Sequence, residues 1–95
     1  MENVIRCKPR KWNEYDISVE RNLRGILIMI RDGAFVCYQN LFMLFEEDPI
    51  EYVISQAISD ADICEDKDIQ KITECLYEGI REIELENYTI NVIGA

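Results

Sequence analysis

The side chains that could do chemistry in this 95-residue chain are mostly acids: 19 aspartates and glutamates stand against ten lysines and arginines, with no histidine. Lack of histidine removes the usual general base near neutral pH and the commonest partner of cysteine around zinc. A serine or cysteine nucleophile would need a carboxylate or lysine as its base, and no spacing of Ser18, Ser55, Ser59 or the cysteines suggests such a pair. Asp60, Asp62, Glu65, Asp66 and Asp68 crowd together as the ligands of a calcium loop do. Counted from Asp60, however, the fifth position is Cys64, the sixth is Glu65 where the turn needs glycine, and the twelfth is Lys71 where a bidentate glutamate is required. The run reads instead as acids near a helix start, where the dipole favours them. Gly25, Gly33, Gly79 and Gly94 are isolated, so no glycine-rich phosphate loop is present. Neither a metal nor a cofactor is expected, and the balance of residues points to a binding protein rather than an enzyme.

The four cysteines, Cys7, Cys37, Cys64 and Cys75, form no C-x-x-C pair and read as reduced thiols. Cys7 and Cys37 fall in strand patterns, where cysteine packs as a small hydrophobe. Cys64 and Cys75 are expected to be partly exposed, and the acids around Cys64 should disfavour its thiolate. The amino terminus shows no apolar signal region, and no apolar run approaches the ~20 residues of a membrane span. A cytoplasmic protein that does not enter the membrane is therefore expected.

Charge is distributed unevenly. Residues 1–31 hold seven basic residues against four acids, whereas residues 32–95 hold three against fifteen. Such a field acts at long range on partners and says little about fold. Arg6, Lys8, Arg10 and Lys11 beside Trp12 make a small basic-aromatic cluster, but the rest of the chain would repel a free polyanion, so direct nucleic-acid binding is not expected. Glu74, Glu78 and Glu82 recur at i, i+4 and i+8, an outward acidic row if a helix runs through them. With Tyr52, Asp60 and Asp62 they are the candidate partner-binding residues. The row reads either as a solvated face or as a docking surface for a basic protein. The expected function is to inhibit or neutralise such a protein by electrostatic docking, as an immunity-type or counter-defence protein does to a nuclease or toxin. The alternatives are a homo-oligomeric adaptor, using Phe42, Met43, Phe45 and the last strand, and a small enzyme working through carboxylates or a cysteine. A monomer or small homo-oligomer is expected.

The elements that must position these residues follow from periodicity. The length implies one domain. Val4–Lys8 is a candidate strand, left at Pro9. Tyr15, Ile17 and Val19 alternate with polar residues, as a half-buried strand does. Ile26–Ile30, Arg31-Asp32-Gly33 and Ala34–Tyr38 read as a hairpin, and the unbroken apolar run in its first arm predicts a central strand covered on both faces. Leu41–Phe45 follows a turn at Gln39-Asn40 as another strand or a helix start. Asp48-Pro49-Ile50-Glu51 begins a helix running to about Ile58. Ile50, Val53, Ile54, Ala57 and Ile58 form its apolar stripe, with Tyr52, Ser55 and Ser59 opposite. Ile69, Ile72, Leu76, Ile80 and Ile83 mark a second helix to about Glu84, with Gly79 inside it. Tyr88, Ile90 and Val92 then alternate in a final strand. The expected fold is α+β: a small antiparallel or mixed sheet of four to six strands with two helices on one face, in the order β-β-β-β-(β)-α-α-β.

Overall fold

The computed structural model describes residues 13–43 and 48–94. The candidate strand at Val4–Lys8, the basic-aromatic cluster, Cys7 and Phe45 lie outside the described residues. Five strands and two helices follow one another: β1 (Asn13–Arg21), β2 (Gly25–Asp32), β3 (Phe35–Met43), α1 (Ile50–Ala61), α2 (Asp66–Tyr77), β4 (Glu82–Glu84) and β5 (Tyr88–Ile93). The arrangement is α+β, as the alternations and apolar stripes require. In the sheet the strands lie in the order β3-β2-β1-β5-β4, and only β1 and β5 run parallel, so the sheet is mixed.

Two short turns set the first three strands. Asn22 closes the β1–β2 turn, its side-chain oxygen accepting from the backbone N–H of Arg24 (2.8 Å) and Gly25 (3.0 Å). Between β2 and β3 the loop is Gly33-Ala34, with Gly33 at φ 64°, a positive first position that suits the twist of a two-residue hairpin. No turn interrupts Gln39-Asn40: β3 continues to Met43, with an irregularity opposite Ile30/Arg31 where Cys37 is the extra residue.

One face of the sheet carries the core. Ile17, Val19, Ile26, Ile28, Ile30, Ile83, Ile90 and Val92 meet Val53, Ile54, Ala57 and Ile58 of α1 and Ile72 and Leu76 of α2. Ser55, read from the sequence as facing away from the core, is buried because α2 packs alongside α1: Thr73 Oγ1 lies 3.1 Å from Ser55 Oγ. The expectation that β2 is covered on both faces is also corrected. Both helices lie on one side, and on the other Leu27 and Met29 are only half-buried, with no described element over them.

The second helix stops earlier than its stripe suggests. Gly79, at φ 83°, follows Tyr77 and Glu78. The N–H of Ile80 bonds the Cys75 carbonyl (2.9 Å) and that of Gly79 bonds the Leu76 carbonyl (3.0 Å). These are the paired bonds of a glycine-terminated helix end. Gly79 is thus the stop rather than an interior residue. Ile83, counted on a helical face, is instead the inward residue of β4, because one turn of helix and two residues of strand can present the same apolar spacing.

Candidate functional site

The helix stop divides the acidic row. Glu74 lies on α2, accepting from Gln70 Nε2 (3.2 Å), and Glu78 is the residue that caps it. Glu82 belongs to β4, where the inward Ile83 sends Glu82 and Glu84 to the opposite, open face of the sheet. The expected helical row of Glu74, Glu78 and Glu82 therefore does not exist.

The other candidates are dispersed as well. Asp60 sits exposed in the last turn of α1, and Asp62 follows in a left-handed conformation at φ 56°. Both lie at the α1–α2 connection, about 18 Å from Glu78 along the length of α2. Tyr52 is 44% exposed on α1 and lines a groove of about 400 Å³ with Leu41, Phe42, Met43, Asp48, Val53 and Gln56, beside β3. β3 and β4 are opposite edges of the sheet, so the β3 side of the groove that Tyr52 lines lies four strand spacings, or about 19 Å, from the strand that carries Glu82. The six share no single element, lying on α1, the α1–α2 connection, α2 with its cap, and β4.

What the sheet does assemble is an acidic patch that sequence spacing alone does not reveal. Register places Glu84, Thr89 and Glu14 side by side across β4, β5 and β1, and Glu82, Asn91 and Asp16 in the next row. The Cα positions of Glu14, Asp16, Glu82 and Glu84 mark a rectangle about 7 Å along the strands and about 10 Å across them. Asn91 Nδ2 donates to Asp16 Oδ1 (3.2 Å) from the middle of the patch. The signal available beforehand was the alternation of Glu14 and Asp16 with Tyr15 and Ile17, but their neighbours on β4 come from 66–70 residues away and from a segment that reads as helix. Beyond Asp16 the row reaches Arg31 on β2, so the acidic region ends where the apolar part of the open face begins. The described residues contain no group of three or more acids and cysteines close enough to hold a metal ion.

On the helical side, Tyr88 ties β5 to the start of α2. Its hydroxyl donates to Asp68 Oδ2 (2.7 Å) and accepts from the Glu65 N–H (3.2 Å), while its ring meets Tyr15 edge-on at 6.2 Å. Burial, followed by the bond to Asp68, pushes the Tyr88 phenol well above its ordinary value of 10.0, and burial likewise raises Tyr15. The folded state holds these protons more tightly than the unfolded chain. Their contribution to stability is full below pH 10 and falls as pH rises further. Tyr88→Phe, which leaves Asp68 without its donor, should cost about 1–3 kcal/mol. Urea unfolding at neutral and alkaline pH checks both expectations: the variant should be weaker at pH 7 and its stability should decline less steeply above pH 10.

Cys37, Cys64 and Cys75 are free thiols. Cys37 is exposed on the outer strand rather than packed as its strand pattern suggests, because β3 is an edge. Cys64 is raised by burial first and then by Asp68, Asp66 and Asp62, so its thiol form is favoured. No family model, curated protein or solved structure matches the chain. Among the described residues, no helix is long and apolar enough to cross a membrane.

Proposed function

We propose that the chain is a binding protein that neutralises a basic protein partner, a nuclease or toxin, by docking the carboxylates of its open sheet face on the partner's cationic surface. The observation that carries this reading is the convergence of Glu14 and Asp16 of β1 with Glu82 and Glu84 of β4, on either side of β5, onto one face. Strands hold their side chains at fixed spacing, so the charges are displayed in a rigid array rather than on mobile loops. A net charge of −9 steers such an encounter and raises its rate. The mechanism needs no catalytic group in the chain itself, and the proposed setting is the cytoplasm.

Affinity capture from the native host at low salt, followed by stepwise elution with salt, tests the reading. A basic protein should be retained at low ionic strength and released as the field is screened. Its nuclease or toxic activity should fall when the chain is added back. Recovery of no basic protein at low salt removes the reading's support.

A further inference from the structure

The two edges of the sheet are built differently. β4 is three residues long and carries Glu82 and Glu84, so it is short and charged, as guarded edges are. β3 is nine residues long, has no charged side chain and no proline, and pairs on one side with β2 while no described strand lies along the other. Phe35 is 71% exposed on it, and Val36, Leu41 and Met43 are exposed with it. The chain has no charge at all between Asp32 and Glu46.

We infer that β3 pairs antiparallel with the β3 of a second copy, joining two five-stranded sheets into one. On a molecule of net charge −9, another copy is repelled by most of the surface. The uncharged strand is where two such molecules can meet without opposing carboxylates. An edge that meets itself about a two-fold axis is self-complementary by construction, and its outward backbone N–H and C=O groups supply the bonds, the Leu41 N–H exchanging the Asn40 Oδ1 it now donates to (2.9 Å) for the second copy. The groove between β3 and α1, walled by Phe42, Val53 and Tyr52 and lined also by Asp48, the one carboxylate among its lining residues, lies where helix-side residues of the added strand fall, which assigns Tyr52 to this contact rather than to the acidic patch. The irregularity at Cys37 confines regular pairing to the Tyr38–Met43 part of the strand.

This inference does not depend on the docking proposal, and salt separates them. Docking on a basic partner weakens as salt rises, whereas association of two like-charged copies through a neutral strip strengthens. Sedimentation equilibrium of the full chain should show the mass rising with concentration from 11.2 kDa toward twice that, more readily at higher salt. Amide hydrogen exchange along Tyr38–Met43 should slow in parallel. Gln39→Lys places a cation on the exposed strand and should abolish the dimer, although it lowers the net negative charge and would assist any association governed by overall repulsion. At concentrations where the parent is itself monomeric, its circular dichroism and melting should match the parent. A monomer at every concentration and salt, a dimer that Gln39→Lys leaves intact, or a dimer with no added protection on β3 would each overturn the inference.

Discussion

Leu76→Ala should destabilise the protein by about 2–5 kcal/mol, since it removes a fully buried side chain from the layer between α2 and the sheet. Ile54→Ala, on the facing part of α1 and equally buried, should cost a similar amount. A domain of this size has a total stability on the order of 5–15 kcal/mol, and each kcal/mol lost lowers the melting temperature by about 4–8 °C. Either substitution therefore consumes a large share of the margin. Ile80→Ala provides the contrast. Ile80 has the same helical spacing from Leu76 as Leu76 has from Ile72, but it lies beyond the Gly79 stop and is 40% exposed. Urea unfolding of the three variants should give two large losses and a clearly smaller one. Equal losses for Leu76→Ala and Ile80→Ala would contradict the helix end at Tyr77.

Reversing the paired charges with Glu82→Lys and Glu84→Lys together should slow association with the captured basic partner by tenfold or more. Steering by a charged patch is worth about 10–10³ in rate, and the double change alters the local charge by four units along the β4 side of the patch. Both residues are exposed, so folding stability should change little. Glu74→Lys with Glu78→Lys makes the same change in net charge on the helical side. If the open sheet face makes the contact, the helical pair should affect association only through the long-range field, and salt should erase most of that difference. Equal kinetics for the two double variants at moderate salt would move the docking surface away from β4 and β1.

Local pattern was sufficient for much of the fold. Period-two alternation at Tyr15, Ile17 and Val19 and at Tyr88, Ile90 and Val92 specifies half-buried strands, since successive strand side chains must point to opposite faces. The stripe from Ile50 to Ile58 specifies a helix in the same way, and Gly33 marks its turn because a positive φ is nearly free only for glycine. The absence of histidine and of glycine-rich loops is likewise a property of composition, as is the acidic charge.

Tertiary structure decided what these signals share. The residues from Ile69 to Ile83 satisfy a helical period, and also a helix followed by a strand. The left-handed conformation at Gly79 and its two backbone bonds resolve the choice, moving Glu82 from a helix to a sheet edge. The burial of Ser55 depends on a neighbour that helix periodicity does not contain. Strand order is non-local in the same sense: β5 enters beside β1 in parallel, so Glu14 and Asp16 acquire Glu82 and Glu84 as neighbours. The same order leaves β3 outermost and uncharged. Composition determined that the chain would be acidic, but a carboxylate array and a bare edge are relations between strands distant in sequence, and only their hydrogen-bonded register brings them into being.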